Sequence, residues 1–482
     1  MSTLKSKTIN GIVWSSIERF SVQGIQFIIQ IVMARILMPE DYGVIAMLAI
    51  FLAIFQSFVD SGFSSALVQR EDRTEVDYAT VFYFNIVISI VLFFILFFLS
   101  PLIASFYKTP VLISVTKIVA INLIINAFSV VPRAKFMVLV DFKTQAKASL
   151  VAVVISGGVG IWMVYTGYGV WALVFQSLLN NMVSMLLLWV LSKWRPLLKF
   201  SMISFKNLFS FGSKLLFSGL LEIMYKNLYT LVIGKKFASQ ELGYYSRADQ
   251  FAMFPSANIT NIISRVAFPV MCKIQNDDEQ LQKVFSKFLR MYTFIIFPLM
   301  IGLAVLAKPF IRLLLTEKWL GAVVLLQILC FSYMWYPVHA LNLTLLQAKG
   351  RSDLFLKLEI VKKIVGLTIL IVTIPFGVMA MCIGLVIASI LCLHINAYYT
   401  KKYFNIGLSQ QIKDIFPSLI LSGSMGVFIY LLIKLNLSDT LTLALGISTG
   451  CLYYVGTAAL LKMNEWNEMK AMFSLHLIRK LR

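Results

Sequence analysis

Apolar stretches of about 20 residues, each long enough to cross a hydrocarbon core, recur roughly fourteen times between Ile9 and Leu461 with only short polar connections. The pattern predicts spans over residues 10–37, 42–65, 78–100, 111–132, 145–165, 169–192, 208–234, 242–268, 284–307, 320–348, 354–375, 377–399, 413–435 and 440–461. The expected fold is therefore all-α: a polytopic membrane protein of about 14 transmembrane helices. An even number of spans puts both ends of the chain on one side.

The pattern also repeats. Pro39-Glu40-Asp41-Tyr42-Gly43 after the first span is echoed by Ser239-Gln240-Glu241-Leu242-Gly243 after the seventh, with the glycines 200 residues apart. A weaker echo pairs Ser100-Pro101-Leu102-Ile103 with Lys308-Pro309-Phe310-Ile311. Repetition on this scale predicts two pseudo-repeated six-helix lobes, at residues 1–200 and 201–405, followed by a helix pair at 406–462. In the tail, 463–482, Trp466, Met469, Phe473 and Leu477 recur at helical spacing, as in a helix lying on the membrane surface.

Composition agrees with the pattern. At 59% hydrophobic and 13% charged residues, the 482-residue chain is too apolar for a soluble enzyme. Its net charge of +21 is spread in small clusters at span ends, which fits the positive-inside rule and not a nucleic-acid surface. With the N-terminus inside, roughly 25 Lys and Arg face the cytoplasm against about 8 outside, so both termini are expected there. The first apolar segment, about 28 residues, exceeds the h-region of a cleavable signal. Five cysteines and three histidines show no metal-ligand spacing, and no metal site or cofactor is expected beyond a possible coupling ion, proton or sodium. No Walker loop, His-Glu-x-x-His or Gly-x-Ser-x-Gly motif is present, so an enzyme is not expected. The acidic run Asp277-Asp278-Glu279 reads as a solvated loop.

Polar residues inside the spans carry the functional signal, because an ionisable group at mid-bilayer costs about 3 kcal/mol on insertion scales and turns toward protein or water. In span one, Arg19, Gln23, Gln26 and Gln30 share a helix face, with Glu18 at its edge. Span seven carries Glu222 and Lys226, span eight Arg247, Gln250, Asn258, Asn261 and Arg265, and span two Gln56, Asp60 and Ser64. Together they predict a hydrated, electropositive cavity walled by spans one, two, seven and eight, suited to a phosphate-bearing or acidic glycan. The alternative for each is structural: Glu222 and Lys226 neutralise one another at i, i+4. Glu359, Lys362 and Lys363 in span eleven form a network or a coupling site, and His339 and His394 read as hydrogen-bonded core residues. Glu40 and Asp41 are placed to cap span two, and Arg35 to pair with them in an outer gate.

The stretch Lys5–Gly43, with Gly11-Ile12-Val13-Trp14-Ser15 and Ala34-Arg35-Ile36-Leu37-Met38-Pro39-Glu40-Asp41-Tyr42-Gly43, resembles the opening of Wzx-type, WzxC-like polysaccharide flippases. These form a branch of the multidrug/oligosaccharidyl-lipid/polysaccharide exporter superfamily. The resemblance implies two six-helix lobes that alternate access and carry undecaprenyl-pyrophosphate-linked oligosaccharide to the periplasmic leaflet of the bacterial inner membrane. It also implies cationic cavity residues, for which Arg19, Lys226, Arg247 and Arg265 are the candidates, and a lipid-tail role for spans thirteen and fourteen. Partners would be the lipid-linked substrate, membrane lipids, and polysaccharide polymerase and glycosyltransferases. A MATE-like multidrug or cation exporter is the alternative, and a membrane polymerase or ligase a third; the short outer loops and basic interior weigh against both.

Overall fold

The computed structural model describes residues 21–60, 62–468 and 470. Glu18, Arg19 and the tail residues Met469, Phe473 and Leu477 lie outside them. The described chain is helical throughout, with no β-strand among the described residues. By internal packing it divides into two compact units, with the boundary after Gly243.

The first unit holds α1 (Ser21–Ile36), α2 (Pro39–Asp60), α3 (Phe63–Gln69), α4 (Glu75–Tyr107), α5 (Leu112–Val119), α6 (Ile121–Val138), α7 (Phe142–Tyr165), α8 (Val170–Ser192), α9 (Met202–Lys226) and α10 (Leu228–Lys236). Helix α11 (Ser239–Lys273) starts in this unit and continues into the second. There follow α12 (Asp278–Val305), α13 (Ala307–Leu315), α14 (Gly321–Tyr333), α15 (Tyr336–Ala348), α16 (Ser352–Thr373), α17 (Val378–Phe404), α18 (Leu408–Ile433) and α19 (Asp439–Leu460).

Ten helical segments are long and apolar enough to cross a membrane, eleven when the bent α9 is included. The chain is thus a multi-pass membrane protein. Several expected spans are broken. Span four divides at Ala120 into α5 and α6, and span ten at Met334–Trp335, where Pro337 opens the next helix. Span seven starts earlier than hydropathy indicates, bends by 43° between Ser210 and Gly212, and stops at Asn227, whose amide donates to Ile223 O at 2.9 Å. Gly62, at φ +68°, starts α3 against the backbone of Gly212, where a Cβ would lie 2.6 Å from the Gly212 carbonyl oxygen.

Helix starts follow capping chemistry. Thr74 and Asp77 form a reciprocal capping box at α4, and Asp141 caps α7. The acidic run at 277–279 is a helix start, not a free loop. Asp277 accepts from Gln280 N at 2.9 Å, while Asp278 and Glu279 in the first turn of α12 pair with Lys349 and Lys283, each at 2.5 Å. In the first unit, Phe63, Phe82, Trp194 and Leu208 form a buried cluster. Its rim is tied by Glu75, which accepts from Lys135 Nζ at 2.7 Å and Trp194 Nε1 at 2.8 Å. In the second, Phe294, Met425, Ile429 and Tyr454 pack α12 against α18 and α19, and the Tyr454 hydroxyl donates to Phe294 O at 2.9 Å.

Candidate polar pathway and helix-start contact

The polar residues predicted from sequence fall into two classes, those satisfied inside a unit and those left on a surface. On α1, Gln23 and Gln26 are half-buried, and the Gln23 Oε1 atom is buried with no hydrogen-bond partner among the described residues. The backbone oxygen of Gln30 accepts from Tyr42 OH at 3.4 Å. On α2, Gln56 accepts from Asn126 Nδ2 at 3.0 Å, so it serves to join α2 to α6, while Asp60 is exposed and accepts from Ser64 at 2.8 Å. Glu222 and Lys226 on α9 form an exposed i, i+4 pair at 3.3 Å.

Along α11 the stripe divides. Arg247 is buried and donates to Gln250 Oε1, and Asn258 donates to its own helix at Phe254 O, 2.9 Å away. Asn261 and Arg265 stand exposed on the same helix. Sequence reading missed Asp249, two residues from Arg247, which accepts from Tyr333 OH at 2.6 Å. It also missed a set of buried amide contacts. Asn342 and Gln411 bond reciprocally at 3.1 and 3.0 Å, Gln411 reaches Thr400 at 3.2 Å, and Asn181 donates to Asn122 at 2.8 Å. Each partner is distant in sequence, so no local spacing marks it.

His339 has both ring nitrogens engaged, by Ser389 Oγ at 3.0 Å and Asn396 Nδ2 at 3.2 Å. His394 is exposed and bonds Ile390 O of its own helix at 2.9 Å. On α16, Glu359 pairs with Lys362, and Lys363 sits alongside. No group of three or more His, Cys, Asp or Glu able to hold a metal occurs among the described residues.

The repeated segments after spans one and seven meet. A Cβ on Gly43 would overlap the carbonyl oxygen of Ser239 and lie 2.6 Å from its carbonyl carbon. A Cβ on Gly243 would overlap the carbonyl oxygen of Pro39 and lie 2.6 Å from that carbonyl carbon. The contact is reciprocal, glycine Cα–H against carbonyl oxygen in both directions, which only glycine allows. It joins the starts of α2 and α11, whose positive dipole ends face acidic first turns, Glu40 and Asp41 in one and Glu241 in the other. Asp41 Oδ2 caps Met38 N at 3.0 Å. Arg35 is exposed and forms no ion pair with Glu40 or Asp41 among the described residues.

Residues 32–324 match the family model described as polysaccharide biosynthesis protein. The chain belongs to this family. Within reach of this family member, the teichuronic acid biosynthesis protein TuaB of Bacillus subtilis is 26% identical across 94% of the chain and 96% of TuaB. The lipopolysaccharide biosynthesis protein WzxC of Escherichia coli is 27% identical across 88% and 89%. Among solved structures, the lipid II flippase MurJ in an inward closed conformation superposes with a TM-score of 0.72 at 16% identity, covering 93% of this chain and 99% of MurJ. An inward-facing multidrug resistance MATE transporter of the MOP superfamily gives 0.63 over 82% and 98%. The family member therefore has the MurJ- and MATE-like polytopic fold.

Proposed function

We propose that this protein is a flippase that moves undecaprenyl-pyrophosphate-linked oligosaccharide repeat units from the cytoplasmic to the periplasmic leaflet of the bacterial inner membrane, for surface polysaccharide synthesis, by alternating access. The observation that carries the reading is that a membrane-spanning member of the polysaccharide biosynthesis family keeps an amide and a cationic side chain exposed on the long helix α11, Asn261 and Arg265. A pyrophosphate and its sugars cannot enter hydrocarbon unaided, and such side chains supply charge and hydrogen bonds in place of water. Arg19, Gln23, Gln26, Gln30, Asp60, Glu222, Lys226, Arg247, Gln250 and Asn258 complete the proposed headgroup path.

The prenyl tail has a matching apolar site within the second unit. Phe294, Leu306, Phe310, Met425, Ile429 and Tyr454 line part of a cavity of about 460 Å³ between α12, α13, α18 and α19. Helices α1, α11 and α16 complete 14 spans in this reading, with both termini cytoplasmic. The outer gate is the Gly43–Ser239 and Gly243–Pro39 contact, which parts to release the headgroup. The work is conformational, and no bond is made or broken.

The test is surface polysaccharide in a deletion strain complemented with Arg19→Ala/Arg247→Ala. Loss of polymer at unchanged protein level is expected. Wild-type polymer from the double variant would sink the cavity assignment, and dye resistance without any effect on polymer would favour the multidrug exporter.

A further inference from the structure

At one end of the second unit, the start of α16 and the last turns of α17 bring three cations around two tyrosine rings. Tyr399 and Tyr403 stack with centroids 6.5 Å apart and planes 17° from parallel. The Arg351 guanidinium lies 4.8 Å from the Tyr403 ring and Lys402 Nζ 5.6 Å from it, while Lys357 Nζ lies 5.9 Å from Tyr399. These are cation–π distances, so the rings hold the positive groups together against their mutual repulsion.

The charge is not balanced locally. Arg351 spends its fork on Asp353, at 2.9 and 2.8 Å. Lys357, Lys401 and Lys402 are all exposed and form no ion pair among the described residues. Below them, α16 carries an exposed apolar row, Leu356, Ile360, Ile364, Leu367 and Ile371, at helical spacing. The row runs about 22 Å along the helix axis from Leu356 to Ile371 at 1.5 Å per residue. Cations and phenols at a membrane boundary, with an apolar track leading into the bilayer, match a lipid rather than a free ion.

We propose that this patch binds the headgroup of an anionic phospholipid, its phosphate between Lys357 and Lys402 and its acyl chain along Leu356, Ile360 and Ile364. The site is separate from the headgroup path described above and does not depend on what the protein transports.

The test is native mass spectrometry of the full chain in detergent, titrated with phosphatidylglycerol or phosphatidylcholine of the same acyl chains. The wild type binds phosphatidylglycerol preferentially. Lys357→Gln/Lys402→Gln weakens that binding by about thirtyfold, the size expected for two cations beside a charged headgroup, with phosphatidylcholine unaffected. Lys357→Arg/Lys402→Arg retains it, which separates charge from packing. Lys434→Gln, which removes a comparable cation 5.3 Å from Tyr430 at the end of α18, changes nothing. Equal binding of both lipids by the wild type, or undiminished phosphatidylglycerol binding by the glutamine variant, overturns the proposal. So does displacement by inorganic phosphate at the concentration where phosphatidylglycerol itself saturates, which would assign the patch to a free anion. If the double glutamine variant fails to fold, Lys402→Gln alone, with an intact melting profile in lipid-free detergent, gives the same comparison.

Discussion

Replacing Gly43 by alanine puts a methyl group onto the Ser239 carbonyl, 2.6 Å from its carbon and 3.1 Å from its Cα. Neither neighbour is the far end of a flexible side chain, so backbone must move. Restoring a normal carbon–oxygen contact of about 3.3 Å requires the starts of α2 and α11 to part by about 1 Å or more. Overpacking of this kind costs about 1–3 kcal/mol, and the loss of two Cα–H···O contacts adds about 0.5–1 kcal/mol each. Gly243→Ala meets Pro39 with the same two distances and is expected to cost the same. Because either methyl separates the same two segments, the second is cheaper once the first is in place. The double variant should fall well short of the sum of the singles, with a coupling of about 1 kcal/mol or more. Thermal unfolding of the four proteins in one detergent measures this cycle, and surface polymer in a complemented deletion strain measures its effect on gating. Single variants that melt with the wild type, or a strictly additive double, would refute the reciprocal contact.

Tyr454→Phe should cost about 1 kcal/mol, by loss of the bond to Phe294 O, whereas Tyr454→Ala should cost about 3–5 kcal/mol, by opening the α12–α18–α19 cluster. Denaturant unfolding that gives equal losses would contradict the packing role of the ring. The Arg351 guanidinium holds the Asp353 carboxyl down at about 2, chiefly through their hydrogen bond. A depressed carboxylate stabilises the fold fully above its unfolded value near 4 and loses that contribution only as pH falls through about 2. Phosphatidylglycerol affinity should therefore be flat from pH 5 to 8, and a change beyond about threefold would show that another group titrates in the patch. Arg265→Gln should reduce polymer export with a shift in stability within about 0.5 kcal/mol. Gln411→Leu, which takes the donor away from the buried Asn342 side-chain oxygen, should instead cost about 1–3 kcal/mol of stability; a reversed pattern in melting and export assays would reject this division.

Much of the fold was legible because hydropathy reports transfer into lipid directly: α4, α7, α8, α12 and α17 to α19 fall where apolar runs of bilayer length stand. What hydropathy cannot see is a break inside an apolar run. Ala120 and Trp335 interrupt helices without adding polarity, and the bend in α9 depends on Gly212 meeting Gly62, a partner 150 residues away. The repeat was visible as paired glycines, but its meaning was not, since the sequence shows two similar turns and not that each supplies the oxygen the other's glycine receives. Of the site residues, the exposed ones on α11 could be picked from their periodicity. The burial of Arg247 against Gln250, and the existence of Asp249 as a half-buried acceptor, depend on which way each side chain turns.

That distinction decides which polar residues can act on a ligand. A buried amide already bonded to another, such as Asn342 to Gln411 or Asn122 to Asn181, would have to exchange one hydrogen bond for another on meeting a sugar, so its net contribution is small. The Gln23 Oε1 atom is different, because it is buried with no partner among the described residues and gains whatever a donor on a ligand offers. Arg265 stands exposed on α11, where its charge calls for water or an anion beside it. The carbonyl–glycine contact at Gly43 and Gly243 lies within the first unit and is made by close backbone approach. Its contacting atoms belong to the backbone, so the proposed gate has no glycine side chain to unlock there.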